Sequence, residues 1–397
     1  MAKGKRIEEK QGNKQGIKIF IAILVIIIVG AGGVLGYKYY KDKTNVEEVW
    51  VSAEEPEEQE KQPEVKKVQI FKGTDRPIAV MIDNHTGAWP QAGLNDAYMV
   101  YEIIVEGGET RLMPVFKGVD LDKIGPIRSS RHYFLDYALE NDAIYVHFGW
   151  SPQAENDISK LKVNNLNGIV ESSSSFWRVK DKAAPHNAVT STSKILEMAK
   201  NRNYKTTSTE KSVLNYVADE FTLAEKYGTK VETEGTESTN STSTTSSNTA
   251  NTSNTSTYGT TENQVLNATK VTIPHSQLHT VVYEYNAETK RYTRYARKKL
   301  QTDWTSKEPI TTKNIIIEFI NNTTLNDGEN KGRQNINTVG TYDGYYITNG
   351  ETIKIKCTKN SRSDKTVYKD LSGNVIDVND GNTWVNICPK EAKVTFE

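Results

Sequence analysis

The sequence predicts an α+β or α/β N-terminal domain and a small antiparallel β-rich C-terminal domain, both behind a single N-terminal transmembrane helix. Three observations carry that prediction. Ile19 to Gly36 is an unbroken apolar run. From Val68 to about residue 225, strand-like runs alternate with helix-like ones. After Val265 the chain turns to short β-rich runs separated by polar turns.

The apolar run, extended by Tyr37, Tyr39 and Tyr40, has the length of one helical span, which needs roughly 20 residues. Lys3, Lys5, Arg6, Lys10 and Lys14 precede it and a glutamate-rich stretch follows, so the positive-inside rule places residues 1–18 in the cytoplasm. A retained anchor over residues 19–40 is expected rather than a cleaved signal peptide, because the run is long and Gly36-Tyr37-Lys38 is a poor cleavage context. The expected location is therefore the cell membrane, single-pass, with the bulk of the chain extracytoplasmic. Residues 41–68 read as an acidic disordered stalk and residues 226–264, nearly all Ser, Thr, Asn, Gly and Glu, as a disordered insertion. The folded domains are expected at residues 69–225 and 265–397. Fifty Lys and Arg balance fifty Asp and Glu over 397 residues, so no global charge draws the chain to nucleic acid, and no direct nucleic-acid binding is expected.

Ile78-Ala79-Val80-Met81-Ile82 suits a buried strand; Ala97 to Val105, Leu112 to Phe116 and Ala143 to Phe148 continue the series. A helix is expected after Arg131, another from Ser151-Pro152 with proline at its first position, and others around Ile195–Ala199 and Val213–Ala218. In the second half, Val271–Ile273, Thr280–Tyr285, Ile315–Phe319, Tyr345–Thr348, Ile353–Lys356 and Thr383–Ile387 read as strands. Cys357 and Cys388 end two of these runs, where an extracytoplasmic location permits a disulfide.

Gly125-Pro126-Ile127-Arg128-Ser129-Ser130-Arg131 is the most informative stretch for function. Either serine suits a helix cap, and a helix start beside two arginines suits a phosphate or carboxylate. The competing reading is a capped helix whose arginines pair with structural carboxylates. Asp83-Asn84-His85 ends a buried strand, where α/β sheets gather ligands, or else simply makes a turn. Glu102 and Glu106 share strand parity and suit acid–base work, or a salt-bridge set with Arg111, Arg128 and Arg131. The ligand-binding candidates are thus Arg111, Arg128, Ser129, Ser130, Arg131, Asn84, His147 and His186; the weak catalytic candidates are Asp83, His85, Glu102 and Glu106. No metal site is expected: His275 and His279 have helical ligand spacing in a β-rich region. No Walker loop, GxSxG or HExxH motif is present, and no cofactor is indicated.

Arg76-Pro77-Ile78-Ala79-Val80-Met81-Ile82-Asp83-Asn84-His85, Tyr101-Glu102 through Arg111, the run to Arg131, and Tyr145-Val146-His147 occur in this order. With Val271-Thr272-Ile273-Pro274, Lys331-Gly332-Arg333 and Gly381-Asn382-Thr383-Trp384-Val385, they resemble the DUF3048 family of YerB-like bacterial lipoproteins over nearly all of residues 70 to 390. The resemblance implies a membrane-held, extracytoplasmic protein of Gram-positive-type bacteria and no established reaction. The chain departs from that pattern in having an apolar span in place of a lipid-anchored cysteine, and in its low-complexity insertion. The leading expectation is a binding module for an anionic wall polymer, lipid head group or protein partner. The alternative is a cell-envelope enzyme, a hydrolase or a polyprenyl-phosphate-linked phosphotransferase.

Overall fold

The computed structural model describes residues 32–43, 66–228 and 263–397. Residues 32–43 are helical and fall in one unit, and the described residues from 66 onward fall in another. The expected basic tail, most of the stalk and of the low-complexity insertion, and residues 19–31 of the expected span lie outside the described residues.

In the second unit the first half contributes strands β1 (Ile78–Val80), β2 (Ile82–Asp83), β3 (Met99–Ile104) and β4 (Thr110–Phe116). Helix α1 (Phe134–Glu140), strand β5 (Ile144–His147), helix α2 (Pro152–Lys160), strand β6 (Asn165–Asn167) and helix α3 (Thr192–Asn201) follow. The second half contributes β7 (Lys270–Pro274), β8 (Thr280–Asn286), β9 (Arg291–Ala296), β10 (Asn314–Ile320), β11 (Gly340–Thr348), β12 (Glu351–Lys359) and β13 (Thr383–Pro389). One twelve-stranded mixed sheet runs Leu266–Asn267, β12, β11, β10, β13, β3, β4, β1, β5, β6, with β2 on β4 and Val367–Lys369 on β12. The two halves meet where β13 lies parallel to β3, Thr383 opposite Met99 and Ile387 opposite Ile103. A six-stranded antiparallel sheet, built around β9, β8 and β7, packs on one face.

Strands β1 to β5 are buried throughout because both faces of the sheet are covered there, so they carry near-continuous apolar runs, whereas β11 and β12 toward one edge alternate between buried and exposed positions. Period two sorts their side chains. Met81, Tyr101, Met113, Val115 and Tyr145 face α1, packing with Tyr133, Phe134 and Tyr137. Val80, Ile82, Val100, Leu112 and Val146 face the other way, onto Ile195, Met198 and Ala199 of α3 and onto Val271, Val281 and Tyr283 of the second sheet.

This corrects the expected fold class. The described chain is mostly β, and strands expected in two separate domains share one sheet. The pairing of β13 with β3 joins residues far apart in sequence, which no local pattern reveals. No helix among the described residues is long and apolar enough to cross a membrane; residues 32–43 carry Lys38, Lys41, Asp42 and Lys43. Val213–Ala218 is not a helix: Asn215–Val217 is a strand paired in parallel with Asp377–Asn379. Cys357 and Cys388 are free and buried. They lie on β12 and β13, three strand spacings or roughly 14 Å apart, and pack into opposite faces of the sheet, so they do not form the disulfide.

Candidate functional site

A cleft of about 430 Å³ opens beyond the ends of β2, β3 and β4, lined by Asp83, His85, Glu106, Arg111, Arg128, Arg131 and His186, with Glu109, Lys331 and Arg333. Asp83 ends β2 directly opposite Arg111 of β4. Parity puts both on the α1 face, with Met81 and Met113.

Residues 127–131 are not a helix start. Ile127 and Ser130 bridge Ile82 and Trp150, so the run lies extended between β2 and the segment after β5. Helix α1 begins only at Phe134, after Tyr133 and with no side-chain cap. Ser130 Oγ accepts the buried Tyr145 hydroxyl at 2.8 Å, and Ser129 Oγ donates to Phe148 O at 3.1 Å. Neither serine caps, and positive charge in the cleft comes from guanidinium groups rather than a helix terminus.

Arg131 grips Glu106 with Nε and Nη2 at 2.5 and 3.0 Å, and Arg111 Nη2 stands 3.8 Å from the same carboxylate. Burial acts to raise the Glu106 carboxyl, but the Arg131 bonds outweigh it and hold it below the ordinary range. Arg111 is 7% exposed. Burial, then the charge of Arg131, push it down to about 10.

The other wall is built on Asp83. His186 Nδ1 donates to Asp83 Oδ2 at 2.7 Å, and Arg128 Nε lies 3.3 Å from the same oxygen. A carboxylate only accepts, so the proton of His186 sits on Nδ1. The His85 ring stacks on His186, centroids 4.4 Å apart and planes 12° from parallel. His85 Nδ1 accepts the Gly87 N–H at 3.0 Å. A Cβ on Gly87 would stand 3.1 Å from His186 Cδ2 and 3.2 Å from His85 Nδ1, so the turn carries the residue that lets the rings stack.

Five sequence candidates lie elsewhere. Asn84, Glu102, Ser129, Ser130 and His147 do not line the cleft. Glu102 and Glu106 do not share a face, because β3 ends at Ile104 and the 3-10 turn at Glu106–Gly108, with Gly107 and Gly108 at φ +67° and +73°, breaks the parity. Glu102 is fully buried beneath the second sheet, where Arg294 Nη2 (2.7 Å), His279 Nε2 (2.8 Å), Thr110 Oγ1 (2.8 Å) and Asn84 Nδ2 (3.1 Å) surround it. Burial favours its neutral form; Arg294 and these neighbours reverse that and keep its carboxyl well below the ordinary range. His147 is buried against Gly149 O and Asn165 Oδ1, and burial pushes it down to about 4. His275 is also buried, 3.3 Å from Asn386 Oδ1. Lys331 and Arg333 line the cleft beyond the candidates that the sequence singles out. Arg333 bonds Glu329 at 3.0 Å and also pairs with Asp327, and Lys331 bonds Glu329 at 2.6 Å. The one signal for them was the charged Lys331-Gly332-Arg333 triplet in a polar loop.

Two family models match this chain, the N-terminal domain of a protein of unknown function (DUF3048) at residues 65–205 and its C-terminal domain at residues 270–385. The chain belongs to the DUF3048 family. It is 28% identical over 322 residues to YerB of Bacillus subtilis (strain 168), a protein named as a candidate lipoprotein; the match spans 79% of this chain and 81% of that one. The crystal structure of YerB from Bacillus subtilis superposes with a TM-score of 0.64 at 24% identity, covering 81% of this chain and 94% of that one. At that identity the superposition speaks for the fold alone. Both DUF3048 segments supply cleft residues, the first from Asp83 to His186 and the second through Lys331 and Arg333.

Proposed function

We propose that this YerB-like protein is an extracytoplasmic module of the cell envelope that binds an anionic ligand in the cleft. The ligand class is a phosphorylated or carboxylated wall polymer or lipid head group. The observation that carries the reading is the convergence of Arg111, Arg128 and Arg131 on two carboxylates, Asp83 and Glu106. Arg111 and Arg131 share one carboxylate, and Arg128 shares the other with His186. Arg128, with a side chain 29% exposed, keeps both Nη groups free of partners among the described residues. An incoming anion relieves the repulsion among these cations and gains charge-assisted bonds worth about 1.5–3 kcal/mol each. The envelope location draws on the lipoprotein name of the Bacillus subtilis relative.

Calorimetric titration of the full chain with inorganic phosphate, with and without Arg128→Ala, tests the reading. Saturable binding that the variant loses while its melting temperature holds supports it. Absence of binding to phosphate and to carboxylate probes alike overturns it and favours a protein partner.

A further inference from the structure

We infer that the cleft hydrolyses a phosphodiester, with His186 Nε2 taking the proton of the attacking water. This rests on the anion-binding reading and goes beyond it. A module that only holds an anion needs donors. His186 offers the opposite: its Nδ1 proton is committed to Asp83, so in the neutral ring Nε2 presents a lone pair. That nitrogen has no partner among the described residues, and the side chain, 18% exposed, lines the same cleft as the three arginines. A carboxylate holding an imidazole in one tautomer, with the far nitrogen open to a ligand site, is the arrangement that general-base catalysis requires.

The second imidazole is held in the complementary tautomer. His85 Nδ1 accepts from Gly87 N–H, so in the neutral ring the proton is on Nε2. Stacked on His186, it supplies a donor beside the acceptor. Arg128 reaches Asp83 Oδ2, the oxygen that also holds His186, and so ties the base to the anion-binding wall.

The diester follows from the chemistry. Transfer from a phosphomonoester dianion passes through a loose transition state with little bonding to the nucleophile, so a base contributes little there. A diester demands more bonding to the incoming oxygen, and removal of its proton then lowers the barrier. Water oxygen forms the new P–O bond, its proton passes to His186 Nε2, and the bond to one ester oxygen breaks. The leaving alkoxide takes that proton back. One diester and one water give one monoester and one alcohol. The arginines bind the non-bridging oxygens and offset the charge that builds on them.

The test is turnover of bis(4-nitrophenyl) phosphate and 4-nitrophenyl phosphate by the full chain, beside calorimetric titration with inorganic phosphate. The expected result is release of nitrophenolate from the diester in preference to the monoester. His186→Asn should lower kcat by about 100- to 10,000-fold with phosphate affinity and melting temperature nearly unchanged. Asp83→Asn, a change at the positioning residue, should lower kcat more than it raises KM. Undiminished turnover in His186→Asn overturns the assignment. Phosphate binding that depends on Arg128, without diester turnover, overturns hydrolysis and leaves the binding module standing. Loss of both removes both readings.

Discussion

The cleft and the cluster around Glu102 are built from adjacent residues of the same strands, and they treat charge in opposite ways. Asp83 and Arg111 face α1 and open into the cleft; their chain neighbours Asn84 and Thr110 bond the buried Glu102, Thr110 from the cleft's own margin. In the cluster each charge is consumed: Glu102 and Arg294 are 0% and 1% exposed and pair at 2.7 Å. In the cleft two carboxylates are shared among three arginines and a histidine, and solvent reaches the groups. Enclosure turns an ion pair into structure, and access leaves it able to exchange a carboxylate for a ligand.

The largest effect is expected where enclosure is complete. Glu102→Gln leaves Arg294 buried without its counter-charge, and Arg294 also stacks over Trp384, its guanidinium carbon 4.5 Å from the ring centroid. Breaking one side of a buried pair costs about 3–5 kcal/mol, read by denaturant unfolding. Phosphate affinity of whatever remains folded should stay near wild type. The stabilisation from Glu102 is present above the ordinary carboxylate range and is lost as pH falls through its lowered value, so the variant should also lose part of the acid limb. A mild loss would mean the cluster exchanges charge as the cleft does.

Glu318 on β10 sharpens the contrast as a buried carboxyl with no paired cation among the described residues. Tyr368 Oη donates to it at 2.7 Å, yet burial, helped by the charge of Glu140, pushes it up to about 7. Its folded value is raised, so its stability contribution is full below the unfolded value near 4.5 and is lost as pH rises through about 7. Wild-type stability should fall by on the order of 3 kcal/mol between pH 4.5 and 8 from this group. Glu318→Gln should flatten that slope, measured as unfolding free energy against pH. An unchanged slope would place the titration elsewhere.

Arg128→Ala tests the open side. The Arg128 side chain is 29% exposed and the buried Asp83 keeps its bond from His186, so removal should cost only about 1 kcal/mol of stability. Phosphate affinity should fall about 10- to 150-fold. If the variant unfolds instead, the cleft is as structural as the Glu102 cluster and the distinction collapses.

Much of this was legible in the residues. The runs Ile78–Ile82 and Tyr145–His147 announce strands covered on both faces, and Ser151-Pro152 announces α2, where Ser151 Oγ accepts Ala154 N–H at 3.2 Å. Asp83, His85, Glu106, Arg111, Arg128, Arg131 and His186 were singled out, and the fold brings them together. What escaped depends on where strands end and what lies beside them. Glu102 parts from Glu106 because β3 stops at Ile104. Val213–Ala218 satisfies helical spacing, and only its pairing with Asp377–Asn379 makes it a strand. Lys331 and Arg333 reach the cleft through closure of a sheet whose two halves meet at β13 and β3, a contact that no window of sequence contains.

The smallest expected effect is at Lys331, which lines the cleft from the second half with a side chain 61% exposed and bonded to Glu329. A charge so open to solvent acts through the field alone, and the Debye length shrinks from about 10 Å at 0.1 M salt to about 3 Å at 1 M. Lys331→Ala should therefore lower phosphate affinity by only about twofold at low ionic strength, an effect that vanishes as salt rises. The Arg128→Ala loss should persist at high salt, because a direct bond is screened far less. Titrations of both variants across a salt series read the difference. A Lys331 effect as large as that of Arg128, and equally indifferent to salt, would mean the Lys331–Arg333 loop touches the ligand, and the cleft would then be a site made by both halves of the chain.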